Sequence, residues 1–330
     1  MNKFTKIGLS ALAGSLVAFS AHAGSLSASG SASLTFSNGD DKSLTDEGNQ
    51  WTMGDSITMT GSGEMDNGMT ISVSYEIDND DVGGGNVYDS HSMTLDTNGF
   101  GTITFSGHGG SSAMSALDDV TPNAYQESWD VVTGAETSTL VGGHSGDNMF
   151  TYKSPDFGGA TITVAYLNAS DAGTDVSYTD FSIVAKPEAF EGLEIGYGFG
   201  ESEETTGTAI DESAMYAKYT YGSVTLGYQI NESDGPTSAT DIDFTAAGVS
   251  YAVTDDLTIG YSTSESDKAS DSDVQEATAG SLNIHSGNGI QGGDISIVSV
   301  TIRPNALGDT VLLAESIAVE TGQLPSSTPL

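Results

Sequence analysis

From Leu26 to Phe36 every second residue is apolar or glycine: Leu26, Ala28, Gly30, Ala32, Leu34 and Phe36. Between them fall Ser25, Ser27, Ser29, Ser31, Ser33 and Thr35. A two-residue period puts the two sets on opposite faces of a strand. The run is as long as the roughly 9–11 residues that a tilted strand needs to cross a bilayer. The pattern returns along the chain. Ile71, Val73, Tyr75 and Ile77 alternate with Ser72, Ser74 and Glu76; Ile162, Val164 and Tyr166 alternate with Thr163 and Ala165. Leu193, Ile195, Tyr197 and Phe199 face away from Glu194, Gly196 and Gly198, and Val224, Leu226, Tyr228 and Ile230 from Thr225, Gly227 and Gln229. About 13 such strands are readable through Tyr261.

A soluble sandwich also alternates, so the connections decide. Short ones fall at Glu64–Gly68, Asp96–Gly99, Ser154–Gly159, Pro187–Gly192, Gly222-Ser223 and Thr254–Asp256. Between them come long, acidic ones: Ser37–Asp55, Asp78–Asp89, Gly107–Asn148, Asn168–Val176, Gly200–Ser213 and Asn231–Asp241. Tight turns at one end and long loops at the other are the rhythm of an up-and-down barrel. Greek-key sandwiches do not keep it. Aromatic residues sit on the apolar parity near strand ends, where membrane–water girdles belong. The other parity is mostly Ser, Thr and Gly, too small and wet for a packed core. The fold class is therefore all-β, a transmembrane antiparallel up-and-down β-barrel.

The N-terminus supports export. Lys3 and Lys6 precede an apolar stretch, Ile7 to Ser20, and Ala21-His22-Ala23 has the small-x-small form of a cleavage site. Residues 1–23 read as a signal peptide, and the mature chain carries 6 basic against 46 acidic residues, a formal charge of −40. That charge excludes nucleic acid, which needs a basic patch. The absence of cysteine excludes thiolate chemistry and disulfides.

The longest connection, Gly107–Asn148, precedes Asn148-x-x-x-Tyr152-x-Ser154-Pro155-x-Phe157-x-Gly159 and follows Asn98-Gly99-x-Gly101-Thr102-x-Thr104-Phe105-x-Gly107. With these segments the chain resembles the Gram-negative outer-membrane general porins, particularly the alphaproteobacterial type. The resemblance covers residues 24 to 261. It implies 16 strands and a homotrimeric, water-filled channel in contact with outer-membrane lipid and lipopolysaccharide. It also implies a third loop folded into the lumen as a constriction, passing small hydrophilic solutes and ions, among which the acidic excess of this chain favours cations. Acidic residues of that loop would be Asp118, Asp119, Glu127 and Asp130; inward parity supplies Lys153, Lys186 and Lys218 as basic wall candidates. The family's arginine cluster is missing, since Arg303 is the single arginine.

The C-terminal region departs from the pattern. All 26 aromatic residues lie at or before Tyr261, and Val311-Leu312-Leu313-Ala314 breaks the alternation. Residues 24–279 read as the barrel, and 280–330 as an atypical tail, frame-shifted or leaving closure incomplete. No catalytic constellation, cofactor or metal-ligand spacing emerges, and the Gly-x-Gly at Gly287 lacks a strand–helix context. Asp78-Asn79-Asp80-Asp81 and Asp171-Ala172-Gly173-Thr174-Asp175 are oxygen-rich enough to hold Ca2+. They keep a second function class open, a secreted acidic calcium-binding adhesin or surface-layer protein.

Overall fold

A strand with aliphatic and aromatic side chains on one parity and hydroxyls or glycine on the other suits a wall with lipid on one side and water on the other. Its backbone must also be paired on both edges, because lipid offers no hydrogen bonds. The computed structural model meets both demands. It describes residues 25–39, 48–78, 88–124, 129, 143–168, 176–204, 209–255, 257–268, 275–285, 293–302 and 312–321. Among these, sixteen strands form one closed antiparallel barrel.

The first five are β1 (Ser25–Gly39), β2 (Gly48–Glu64), β3 (Thr70–Asp78), β4 (Ser90–Asp96) and β5 (Thr102–His108). After the long third loop come β6 (Met149–Lys153), β7 (Ala160–Leu167), β8 (Val176–Ala185), β9 (Leu193–Glu204), β10 (Ala209–Tyr221) and β11 (Val224–Asp234). The wall is completed by β12 (Ile242–Thr254), β13 (Leu257–Lys268), β14 (Gln275–His285), β15 (Gly293–Ile302) and β16 (Leu312–Thr321). Each pairs with the next, and β16 returns to β1, with Ala32 opposite Thr321 and Gly39 opposite Ala314.

Two sequence expectations change. The sheet does not stop at Ala279: β14 pairs with β13, and β15 and β16 carry the pairing back to β1. Incomplete closure is overturned, and the physical reason is plain. Side-chain alternation reports which face is wet, whereas closure is made by backbone groups, which an interrupted alternation leaves intact. The long connections are also shorter than read. β1 and β2 stay paired out to Gly39 and Gly48, and β9 and β10 out to Glu203 and Ala209. Beyond the lipid, polar residues can occupy both faces, so the ladder runs on where period two fades.

The outward parity holds. Ile71, Tyr75, Tyr152, Val164, Tyr166, Tyr197, Phe199, Leu226, Tyr228, Tyr251 and Tyr261 are exposed on the barrel's outside. Ser182, Gln229, Asn231, Ser262, Ser264 and Ser266 are buried on the inside. Cysteine placed at Ser72, Thr163 or Thr225 should therefore react with a water-soluble thiol reagent, and at Ile71, Val164 or Leu226 only with a lipid-soluble one. Labelling in native membranes that gave the reverse pattern would turn the barrel inside out.

Candidate functional site

The chain leaves the wall after β5 and returns at β6. A two-residue ribbon, Gly110–Ser111 against Ser145–Gly146, closes the neck of this excursion. Ser112 donates its N–H to the His144 carbonyl at 2.9 Å, and His144 N–H donates to Ser112 Oγ at 2.9 Å. Gly143 is required here: its φ is +69°, and a Cβ would lie 2.5 Å from Ser112 Oγ.

Past the neck, residues 113–124 cross the inner face of β8 to β14. The segment opens with a short 3-10 helix, Met114–Leu117, whose first donors are taken by the wall. Ala113 and Met114 give their N–H groups to the two carboxylate oxygens of buried Asp180, at 3.0 and 2.7 Å. Apolar contacts flank this anchor. Met114 and Leu117 bury against Ala214 and Tyr216, and Ala113 packs with Met149, Ala165, Leu167 and Tyr178.

Further along, Gln229 donates to the Asp118 carbonyl at 2.7 Å and accepts from the Thr121 hydroxyl at 2.8 Å. Ala124 N–H donates to Ser281 Oγ at 2.8 Å. Trp129 stacks edge-on against Phe244, with centroids 5.2 Å apart, beside Ala246.

At several inward positions beneath the segment the wall carries no side chain. A Cβ on Gly198 would meet Leu117 at 2.5 Å and Met114 at 2.9 Å; on Gly227 and Gly248 it would collide with Pro122, and on Gly260 with the Ala124 nitrogen. These glycines occupy the inward parity of β9, β11, β12 and β13, so the barrel has a groove cut to seat this loop. Glycine's permissiveness is used here for close approach rather than for a turn.

Of the acidic loop residues expected from the sequence, Asp118 is half-buried and Asp119 exposed on this segment. Glu127 and Asp130 lie outside the described residues, as do the signal segment, the Gly287 motif and, apart from Asp78, both oxygen-rich clusters.

The three lysines keep the inward parity. Lys153 ends β6 and is exposed, making no ion pair among the described residues. Lys186, just beyond β8, and Lys218 on β10 both bind one carboxylate that the sequence reading passed over. Lys186 Nζ is 2.9 Å from Glu194 Oε2 and Lys218 Nζ is 2.9 Å from Glu194 Oε1. Tyr216 donates its hydroxyl to Glu194 Oε1 at 2.9 Å. The signal was available: Glu194 sits on the inward parity among glycines. Asp180, Gln229 and Ser281 offered no comparable signal, because their loop partners lie 66 or more residues away.

A closed barrel with a long loop seated along its lumen wall defines a class, the transmembrane diffusion channels. A family model described as Gram-negative porin matches residues 8–281, and the chain belongs to that family. It is an outer-membrane porin. The family match ends close to where the sequence pattern weakens, although the sheet itself continues.

Solved structures carry the same fold. The anion-selective porin from Comamonas acidovorans is 13% identical, with a TM-score of 0.67 over 90% of this chain and 99% of its own. OmpF of Salmonella typhi, in complex with daunomycin, is 15% identical, with a TM-score of 0.66 over 92% and 98%. The trimer form of Vibrio cholerae OmpT is 13% identical, with a TM-score of 0.66 over 91% and 99%. A search of the curated proteins returns no match.

Proposed function

We propose that this porin is a passive, cation-preferring channel for small hydrophilic solutes and ions, constricted by its third loop. The observation that carries the reading is the seating of residues 113–124 across the lumen wall, with Asp118 and Asp119 on the seated segment. Fixed carboxylates at a narrow point attract cations and repel anions. A low-dielectric wall focuses their potential. The mature chain supplies 46 acidic residues against 6 basic ones to bias the bulk field in the same direction.

Residues 1–23 serve as the export signal and are removed. Assembly as a homotrimer is supported by the trimeric form of a porin of the same fold. The surrounding partners are outer-membrane lipid and lipopolysaccharide. The anion selectivity named for the Comamonas porin belongs to that protein and does not transfer at 13% identity. The adhesin reading has no support left once the family is known.

The test is the reversal potential of the mature chain across a salt gradient. Cations should be preferred, and the preference should shrink as salt rises, because exposed charges are screened beyond about 8 Å near physiological strength. Asp118→Asn with Asp119→Asn should lower the preference more than neutralising Glu201 and Asp211, which face each other in the outer part of the β9–β10 hairpin. Equal effects would mean that loop charge in bulk, and not a constriction, sets selectivity.

A further inference from the structure

Three hydrogen-bond donors from one strand and a turn converge on the Glu194 carboxylate. They are the Lys186 and Lys218 ammonium groups and the Tyr216 hydroxyl, each at 2.9 Å. The Glu194 side chain is 17% exposed, while Lys186 is 70% exposed and open to water. Lys218 is further steadied over the Tyr216 ring, 5.9 Å from its centroid. Two cations around one anion leave the cluster one positive charge in excess.

Its place matters. Glu194 is directly opposite Lys218, Lys218 opposite Gly227, and Gly227 opposite Gly248. This is the row of the wall on which Pro122 of the third loop rests. The cluster therefore borders the constriction on its short-turn side. The glycines along the row add no competing carboxylate. Glu188 and Glu191 in the adjoining turn are exposed and pair with neither ammonium among the described residues.

We propose that Lys186, Lys218 and the Tyr216 hydroxyl form an anion site, for phosphate or a solute carboxylate, which Glu194 keeps filled with its own carboxylate. Glu194 is thus a specificity-determining residue. While it occupies the cradle, both ammonium groups are spent on an internal partner and passing anions find no foothold at the edge of the constriction. Without it, two lysines and a hydroxyl already arranged around an oxyanion face the lumen. The inference rests on the porin reading and adds a second selectivity element to the loop carboxylates.

The test uses the mature full-length chain in planar bilayers, with inorganic phosphate as the probe. Glu194→Gln keeps the side chain's shape and removes its charge. A unit charge about 8 Å from a permeating ion in water changes that ion's local concentration about two- to threefold, in opposite directions for cations and anions, so the cation-to-anion permeability ratio should fall about sixfold. Phosphate titrated against chloride should then reduce the E194Q current saturably while leaving wild type unaffected. Adding Lys186→Met and Lys218→Met to E194Q should abolish the phosphate effect.

If E194Q ignores phosphate, or the effect survives loss of both lysines, the proposal is wrong. Should E194Q fail to insert, Lys218→Met alone must raise the permeability ratio by a similar factor, because it leaves Glu194 paired with a single lysine; an unchanged ratio overturns the proposal. Anion preference in wild type would sink the loop reading but leave the phosphate comparison to decide this one.

Discussion

Replacing Gly227 and Gly248 together with valine should lift the third loop off the wall and roughly halve single-channel conductance, since flow depends on the open width at the constriction. A Cβ at either position runs into Pro122, at its ring in one case and its carbonyl oxygen in the other. The wall cannot yield, because each of its strands is held by hydrogen bonds on both sides. The loop must move toward the pore axis instead. Overpacking of this kind costs about 1–3 kcal/mol per site, which a barrel of sixteen strands tolerates. Gly63 and Gly280 provide the control, because a Cβ on either meets nothing within 4 Å. Alanine there should leave conductance unchanged. An unaltered current from a correctly assembled Gly227→Val, Gly248→Val protein would show that the loop is not seated on these glycines.

Asp180→Ala should convert a quiet channel into a noisy one. The carboxylate accepts two backbone N–H bonds, from Ala113 and Met114, in a buried position. Hydrogen bonds to a charged acceptor are the stronger kind. Each donor left unsatisfied costs about 1–3 kcal/mol. The apolar contacts of Met114 and Leu117 remain, so the loop should stay inside the barrel but sample more than one position. Brief closures and excess open-channel noise in single-channel records are the expected readout, along with a lower temperature for loss of the folded band on gels. Asp180→Asn retains one carbonyl acceptor and should fall between the two. A steady Asp180→Ala channel at wild-type conductance would assign the anchoring to the apolar contacts alone.

The wall was legible because a lipid-facing strand announces itself in side chains. Tyr166, Tyr197 and Tyr228 lie on the exposed parity, as their spacing from Val164, Ile195 and Leu226 requires. Lys186 and Lys218 share the parity of Glu194 by the same count, and both ammonium groups reach its carboxylate. What stayed hidden has one common cause, that the information sits in a partner remote along the chain. Gly198 and Gly227 looked like members of a small-residue parity, and only the loop lying on them turns that parity into a groove. Tyr178, Tyr216 and Phe244 break the rule that the inner face is small, because each packs against the inserted loop rather than against water. The last three strands were hidden for the opposite reason, since backbone pairing leaves no compositional trace where side-chain period is lost.

The hairpins that outrun the bilayer bear on how the cell surface meets its surroundings. β1 and β2 have 15 and 17 residues. At about 3.4 Å per residue and a tilt near 40°, the longer of them rises roughly 44 Å, against a hydrocarbon core of about 25–30 Å. The excess stands outside as a stiff, twisted ribbon with its amides already engaged. A protease must draw a substrate out as an unpaired strand before it can cut, so the stem of this hairpin is open to cleavage only where its ladder first comes apart.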